Sequence, residues 1–333
     1  MGREANPHRS ATDGGHLRRR SRLIASAFTL TLLAIMTGCA PAFDHPQPTA
    51  ASPSSSRPST ELPAGSSTMR LDVGGTERAY RVYIPEELAA PSPLVLMLHG
   101  GYGSAAQAER AYGWDELAET AHIVVAYPDA VDRAWNSGGG CCGSAARQGT
   151  DDVAFLTAVV ADIEARLPID AKRVFAAGMS NGAMMAYRLA CDTTVFAAVG
   201  AVAGTISPDT ACEDPAPVSV MAVHGTADSR VLYDGGSSTV GSARIDARAA
   251  PEIAAFWRGV DDCPEPTVTT APPVSTASAQ CPDGRAVALV SIDGYGHEWP
   301  STSGSQTPYG EPVYTGWDAT SELWQFFMTH PKS

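Results

Sequence analysis

The chain has 333 residues, of which 44% are hydrophobic, and its formal net charge is −13 at pH 7. A chain of this length can bury a sizeable core, and the acidic balance excludes nucleic acid as a partner because phosphates would be repelled. Without residues 1–38 the chain would carry 17 basic and 34 acidic residues, which strengthens that exclusion.

The amino terminus has the parts of a signal peptide. Arginines dominate residues 18–22, an apolar run covers residues 23–36, and small residues precede Cys39. The apolar run is too short to cross a bilayer. We therefore predict that residues 1–38 are a signal peptide and that the protein is exported.

Residues 36–39 (MTGC) resemble a bacterial lipobox, in which the cysteine receives a diacylglycerol and becomes the first mature residue. The resemblance implies that Cys39 is lipidated and anchors the protein to the outer face of the cell membrane. That anchor would be its one link to a membrane. The alternative is an ordinary secretory cleavage nearby and release from the cell.

A low-complexity stretch covers residues 39–68, where Pro, Ser, Thr and Ala dominate and almost nothing is apolar enough to bury. This composition is typical of an extended, disordered tether. The composition becomes globular at Met69, and so we predict a single folded domain over residues 69–333.

Two kinds of pattern follow one another along this domain. Residues 69–84 alternate in polarity around Gly74 and Gly75, which predicts an antiparallel hairpin at a sheet edge. Beyond it, continuous apolar runs, typical of strands buried on both faces, alternate with helical patterns, which predicts a mostly parallel, doubly wound α/β sheet. The predicted strands are residues 93–98, 122–126, 173–177, 196–202, 218–223 and 286–292, and the predicted helices are residues 151–166, 183–191, 253–260 and 319–328.

The strongest motif is Gly178-Met179-Ser180-Asn181-Gly182, which stands between a predicted strand and a predicted helix. A serine on a sharp strand-to-helix turn needs small residues two positions to either side, and its hydroxyl is exposed above the sheet edge. The motif predicts Ser180 as a nucleophile on an α/β-hydrolase fold. The alternative is an ordinary glycine-rich turn.

A nucleophilic serine also needs donors for the oxyanion. His99-Gly100-Gly101-Tyr102-Gly103 follows a predicted strand, and its glycines allow backbone N–H groups to point at a substrate oxygen. We predict an oxyanion hole made by the N–H of Asn181 and that of Gly101 or Tyr102. The alternative, a phosphate-binding loop, lacks the Lys and Ser/Thr that such a loop requires.

The orienting acid is expected just past a strand end, downstream of the serine. Asp228 meets this condition, and Asp234 is the fallback. Asp261 and Asp262 follow a predicted helix and are expected to be solvated.

The predicted base is His297, which follows the last strand and completes the order Ser, Asp, His that this fold requires. His99 belongs to the oxyanion loop and His224 precedes the acid, so neither fits the role of base. Ser180, Asp228 and His297 thus form the predicted triad, and no metal or organic cofactor is expected.

Two further groups can be interpreted in more than one way. Asp151 and Asp152 could form an acid pair or bind a metal, but acids at a helix start are typical of capping. The aromatic residues Tyr102, Trp135, Tyr295 and Trp299 are predicted at the same sheet edge as the triad, where they would bind an acyl group or a sugar. The alternative for these aromatic residues is plain packing.

Six cysteines remain beside Cys39, and an even number in an exported chain predicts disulfides. We predict Cys191 with Cys212 and Cys263 with Cys281, each closing a short loop, which leaves a vicinal pair. That pair is Cys141 with Cys142. A metal site is the alternative, but the spacing includes no CxxC pair.

Taken together, four blocks resemble the polyhydroxybutyrate-depolymerase-like esterases, a family that reaches the feruloyl and acetylxylan esterases. The blocks are residues 127–130 (YPDA), 135–143 (WNSGGGCCG), 151–156 (DDVAFL) and 178–187 (GMSNGAMMAY). The resemblance implies the α/β-hydrolase fold, the same triad and the same oxyanion loop. The family's histidine loop often has Gly and Thr where this chain has Tyr295 and Glu298, which would alter the leaving-group side.

The predicted activity is hydrolysis of carboxylic esters through an acyl-enzyme. Expected substrates are soluble: feruloyl or acetyl esters of polysaccharide, or hydroxyalkanoate oligomers, because no polymer-binding module follows the domain. A peptidase or acyltransferase on the same scaffold is one alternative. The other is a cell-surface binding protein with a vestigial triad.

Overall fold

A computed structural model describes residues 62–241, 243–303 and 310–333. The predicted signal peptide, Cys39 and the tether up to residue 61 lie outside the described residues. Within the described ranges no helix is both long enough and apolar enough to cross a membrane.

Strands make up the centre of the described structure. In chain order they are β1 (Gly65–Val73), β2 (Thr76–Ile84), β3 (Ser92–Leu98), β4 (Val124–Pro128), β5 (Ile169–Met179), β6 (Ala198–Val202), β7 (Ser219–Gly225), β8 (Gly236–Val240), β9 (Ala243–Ala247), β10 (Thr267–Ala271), β11 (Val274–Gln280) and β12 (Ala286–Ile292).

The helices surround these strands. They are α1 (Ala105–Ala111), α2 (Trp114–Ala121), α3 (Gly143–Gln148), α4 (Asp152–Glu164), α5 (Asn181–Asp192), α6 (Ala250–Val260) and α7 (Ala319–Thr329).

Ten of the strands form one sheet, in the order β1-β2-β4-β3-β5-β6-β7-β12-β11-β10. Strands β4, β3, β5, β6, β7 and β12 run parallel, and an antiparallel pair closes each edge. The mostly parallel, doubly wound α/β sheet predicted from the sequence is therefore confirmed. It is the α/β-hydrolase type of fold.

The burial of the central strands explains why continuous apolar runs in the sequence predicted them. Every residue of β3, β4, β6 and β7 is buried, because helices cover both faces of the sheet. The β10–β11 hairpin escaped prediction since β10 is exposed along its whole length and is rich in threonine. Burial, not strand propensity alone, made a strand visible in the sequence.

The amino-terminal hairpin is confirmed at the sheet edge, but it starts earlier than predicted. Gly65 already pairs with Ile84 in β1–β2. The predicted boundary between residues 68 and 69 is therefore wrong, because alternating contacts with β2 recruit the serines at the end of the predicted tether into the strand.

Helices pack on both faces of the sheet around large side chains. Phe155 of α4, Met185 of α5 and Trp257 of α6 belong to the core of one face. Trp114 of α2 and Phe327 of α7 belong to the core of the other face. Helices thus cover both faces of the sheet. The carboxyl edge of the parallel strands is where an active site is expected.

Outside the main sheet, β8 and β9 form a small antiparallel hairpin inserted between β7 and α6. The structure also contains the disulfides Cys191–Cys212, Cys263–Cys281 and Cys141–Cys142, in agreement with the predicted pairing. Three disulfides fit an oxidising compartment.

Candidate active site

The sheet register gathers the predicted site residues at one edge. Leu98 of β3 pairs with Gly178 of β5, and Met179 pairs with Val202 of β6. On the other side, β7 and β12 end together. The loops that carry His99, Ser180, Asp228 and His297 therefore leave the sheet at neighbouring points.

Ser180 lies on a strained turn between β5 and α5. Its φ of 55° and ψ of −119° fall outside the regions that L-residues favour. Its N–H donates to Val202 O at 2.8 Å, which fixes the turn against β6. The turn is the one that the motif predicted.

Close backbone approach explains the two glycines that flank Ser180. A Cβ on Gly178 would lie 2.3 Å from the carbonyl group of Gly182, and a Cβ on Gly182 would lie 2.3 Å from Leu98 O. Any side chain at either position would displace backbone, and so the requirement for glycine is steric.

The three residues of the predicted triad are hydrogen-bonded in series. His297 Nε2 is 2.8 Å from Ser180 Oγ, and His297 Nδ1 is 2.7 Å from Asp228 Oδ2. The exposed fraction is 8% for Ser180, 1% for His297 and 4% for Asp228. A histidine held between a hydroxyl and a buried carboxylate can accept the hydroxyl proton and keep its tautomer.

Asp228 is fixed by three further contacts at its carboxylate. Oδ1 accepts hydrogen bonds from the N–H groups of Arg230 and Val231, at 2.8 and 2.9 Å. Oδ2 lies 3.3 Å from Nε2 of His224, which is 2.8 Å from Val231 O. Burial favours the neutral acid, but hydrogen bonds from His224 and His297 outweigh it and hold the pKa of Asp228 well below its ordinary value.

His224 is thus a site residue that reasoning from chain order set aside. It has no contact with Ser180; it lies near the same Asp228 oxygen, Oδ2, that His297 contacts, and only 3% of it is exposed. The signal in the sequence was its position at the end of β7, four residues before Asp228.

A second carboxylate fixes the backbone of the histidine loop. Glu311 Oε2 accepts from the N–H of His297 at 2.7 Å, and its Oε1 accepts from Arg230 Nε at 3.2 Å. Glu298, 2% exposed, accepts from Glu311 N at 3.2 Å. Burial and the nearby charge of Glu311 raise the pKa of Glu298 to about 7, although the Glu311 N–H opposes the shift.

The oxyanion prediction requires one correction. Gly101 lies beside Asn181, because a Cβ on Gly101 would be 3.8 Å from Asn181 Cβ, and both residues line a cavity with Ser180. The N–H of Tyr102, in contrast, donates to Arg133 O at 2.9 Å. Tyr102 is therefore not an oxyanion donor, since its loop turns that N–H away to Arg133.

Trp135 is fully buried and does not line the cavity, and so the prediction that it binds substrate is wrong. Its indole N–H donates to His99 O at 2.8 Å, and its backbone N–H donates to Asn181 Oδ1 at 2.7 Å. The Asn181 amide donates back to Trp135 O at 3.1 Å. Trp135 instead ties the oxyanion loop to the start of α5.

The other two aromatic residues predicted to bind substrate are also packed inside. Trp299 is fully buried against Tyr112 and donates to Thr320 Oγ1 at 3.2 Å. Tyr295 is 8% exposed and packs near Tyr314. Both predictions are corrected, because the histidine loop folds its rings down onto the core beside α7.

A cavity of about 230 Å³ opens next to Ser180. Part of its wall is apolar: Ala134, Val240, Ala243 and Ile245 line it, the last three from the β8–β9 hairpin. Tyr102, half exposed, lies at the same cavity, and Cys142 brings the vicinal disulfide to its surface. The volume is below that of typical drug-sized sites, which favours a small bound group.

The remaining acids have structural contacts. Asp151 caps α4 by accepting from Ala154 N at 2.9 Å. Asp152 is fully buried and pairs with Arg78 at 2.8 Å; burial raises its pKa despite that partner. The structural interpretation of this acid pair is confirmed.

Of the alternative acids, Asp234 is exposed and Asp228 occupies the position beside the histidine. Asp261 is not solvated as expected; it is fully buried, pairs with Arg285 at 3.1 Å and accepts from Val218 N. Asp262 is exposed, as expected.

The sheet, the strained serine turn and the order of the loops define the α/β-hydrolase class. The family model described as Esterase PHB depolymerase matches residues 78–257. The chain therefore belongs to the Esterase PHB depolymerase family and is a carboxylic ester hydrolase.

Individual relatives agree with this assignment. A protein named "Putative esterase NocK" from Nocardia uniformis subsp. tsuyamanensis is 34% identical over 269 residues, which cover 72% of this chain and 75% of that protein. Feruloyl esterase B of Piromyces equi is 30% identical over 217 residues, 62% of this chain but only 39% of that enzyme.

Among solved structures, an acetyl xylan esterase from Aspergillus awamori superimposes with a TM-score of 0.56 at 16% identity. The match covers 79% of this chain and 99% of that one. At this identity the likeness establishes the fold.

Proposed function

We propose that this esterase acts through Ser180, His297 and Asp228. The observation that carries the proposal is the hydrogen-bonded series from the Ser180 hydroxyl through His297 to Asp228, with distances of 2.8 and 2.7 Å. A binding protein would need a pocket, but it would need neither a base nor a buried acid aligned with a strained serine.

In the first half-reaction, His297 Nε2 takes the proton of Ser180 as Oγ attacks the ester carbonyl carbon. The C–O bond to the alcohol then breaks, and the alcohol leaves with the proton from His297. In the second half-reaction, His297 deprotonates water, which attacks the acyl-enzyme, and the proton returns to Ser180 as the acid is released. Asp228, held ionised by its hydrogen bonds, stabilises the imidazolium in both steps.

The backbone N–H groups of Asn181 and Gly101 are the proposed oxyanion donors. Asn181 begins α5, where backbone N–H groups lack partners within the helix and the helix dipole favours negative charge. The reciprocal hydrogen bonds between its side chain and Trp135 support the geometry of this helix start.

The proposed substrates are small soluble esters. A cavity of about 230 Å³ fits a short acyl or aryl group better than a long chain. Feruloyl or acetyl esters of polysaccharide and hydroxyalkanoate oligomers fall in this class, and the names of two relatives above include feruloyl and acetyl xylan esterase.

We also propose that the protein is exported through residues 1–38 and anchored by a lipid on Cys39. The basic and apolar stretches of the first 38 residues and the three disulfides of the folded domain support export. Globomycin treatment of producing cells, followed by fractionation and mass spectrometry, distinguishes a lipidated Cys39 from an ordinary secretory cleavage.

The activity is tested with p-nitrophenyl acetate, butyrate and octanoate, methyl ferulate and hydroxybutyrate oligomers. Wild type should hydrolyse the short esters, and Ser180→Ala should lose about 10⁴-fold or more in kcat. Product formation with an added alcohol or amine would reveal an acyltransferase. Equal, negligible turnover by wild type and variant would overturn the proposal and favour a binding protein.

A further inference from the structure

The cavity beside Ser180 carries more positive than negative charge, although the chain as a whole is acidic. Its charged wall residues are Arg133, Arg147 and Asp132, in a protein with a formal net charge of −13. Two arginines against one aspartate give this cavity a net positive wall on an acidic chain. A positive wall beside the nucleophile favours a substrate that carries a negative charge.

Arg147 stands in the last turn of α3 and is exposed to solvent. Within the described part of the chain, neither a carboxylate nor any other hydrogen-bonding group pairs with its side chain. Most arginines among the described residues pair with a carboxylate, for example Arg78 with Asp152 and Arg285 with Asp261. All the guanidinium N–H donors of an arginine without a partner at a cavity wall are available to a ligand.

Arg133 is held in place from the opposite loop. Its Nε donates to Gly103 O at 3.1 Å, and its carbonyl accepts the N–H of Tyr102. No carboxylate pairs with it among the described residues. The one acid of the cavity wall, Asp132, accepts from Ser144 Oγ at 2.7 Å and forms no ion pair with either arginine among the described residues. The two guanidinium groups therefore leave a net positive charge on the cavity wall.

We propose that Arg133 and Arg147 select esters that carry a free carboxylate on the group held in this cavity. The inference rests on the proposed esterase function and narrows its substrate class. Guanidinium groups bind carboxylates through paired N–H donors, and the apolar wall of Val240, Ala243 and Ile245 covers the carbon chain between carboxylate and ester. The carboxylate belongs either to the acyl part or to the alcohol part of the ester.

Matched pairs of esters test the proposal and distinguish the two sources. For the acyl part, the 4-nitrophenyl monoester of adipic acid is compared with 4-nitrophenyl hexanoate. For the alcohol part, 3-acetoxybutanoate is compared with 3-acetoxybutanamide. The quantity measured is the ratio of kcat/KM for the acidic ester to kcat/KM for its neutral match, with spontaneous hydrolysis subtracted.

We expect wild type to favour the acidic member of one pair. Arg147→Gln should lower that ratio about threefold, and the double variant with Arg133→Gln should lower it about tenfold, the size expected of exposed charge pairs. Arg110→Gln is the matched control, since Arg110 is also exposed in the last turn of a short helix but lines a different groove. Its ratio should equal that of wild type.

Each outcome has a separate meaning. The proposal is overturned if kcat/KM for each neutral ester equals or exceeds that for its acidic match and the arginine variants do not change these ratios. The esterase function would stand in that case. If wild type hydrolyses none of these esters faster than Ser180→Ala does, the esterase proposal itself is overturned. A ratio that falls equally in Arg110→Gln assigns the effect to overall charge and also rejects the cavity arginines as its cause.

Discussion

The reacting edge and the cavity wall of this protein are built differently. At the edge, His297 and Asp228 are buried, follow the ends of parallel strands and are held by several hydrogen bonds each. The wall comes from the β8–β9 hairpin, the short helix α3 and the segment before α3, and it includes the exposed Arg133 and Arg147, neither of which pairs with a carboxylate among the described residues. The edge is fixed by the sheet, whereas the wall is fixed by local contacts, so changes at the edge should alter rate and changes at the wall should alter preference.

The largest effect is expected for Asp228→Asn. The amide cannot stabilise the imidazolium and favours the wrong tautomer of His297, and so kcat should fall about 10⁴-fold on p-nitrophenyl butyrate. Asp234→Asn, a change at an exposed acid nearby, is the control. A loss below tenfold, with the fold intact by circular dichroism, would show that Asp228 is not the orienting acid.

Next in size is a pH effect on stability at Glu298. Because its pKa is raised from 4.5 to about 7, the folded state keeps a proton that the unfolded state releases. Stability is therefore lost as pH rises from about 4.5 to about 7, by an amount on the order of 2 kcal/mol. Glu298→Gln should remove this loss.

Denaturant unfolding at pH 5 and pH 8 measures that change. The difference in free energy of unfolding between the two pH values should be smaller in Glu298→Gln than in wild type. Exposed Glu265→Gln is the control and should keep the wild-type difference. An unchanged difference in Glu298→Gln would mean that the carboxyl of Glu298 titrates alike in both states.

A smaller effect is expected at His224, which contacts Asp228 but not Ser180. His224→Leu removes one donor to the acid, and so kcat should fall about tenfold with KM unchanged. His224→Gln, which can present an N–H near the same place, should recover most of the rate. If kcat were equally low in His224→Gln and His224→Leu, the role of His224 would be packing.

The smallest effect belongs to the wall. Ile245→Val removes one methylene from the cavity surface and should change the ratio of kcat/KM for octanoate to that for butyrate about fourfold in favour of octanoate. Ile253→Val makes the same change in the core beneath α6 and should leave the ratio unaltered. A large loss of kcat in Ile245→Val would remove the distinction between edge and wall.

The residues at the reacting edge of the sheet could be predicted from the sequence because this edge leaves short patterns along the chain. Continuous apolar runs located the buried parallel strands, and the need for glycine at 178 follows from backbone contact within the serine turn itself. The need for glycine at 182 comes from Leu98 of β3, but the spacing of the motif already indicated it. Chain order then distinguished Asp228 and His297 from other acids and histidines. All of these signals can be found along the chain before the packing is known.

The wall was not predicted, since its form depends on contacts between segments far apart in the chain. Trp135 looked like a ligand-binding aromatic residue but is buried by Asn181 and His99. Exposed hairpins such as β8–β9 leave no apolar run to detect. Nothing in the spacing of Arg133 and Arg147 indicated that both would line one cavity.

The most direct test of the proposed triad is labelling with a fluorophosphonate probe, followed by mass spectrometry of the labelled peptide. If Ser180 is activated by His297, one adduct forms, on Ser180; it is absent in Ser180→Ala and forms far more slowly in His297→Ala. An adduct on another residue, or labelling of Ser180 at the same rate without His297, would contradict the proposed triad.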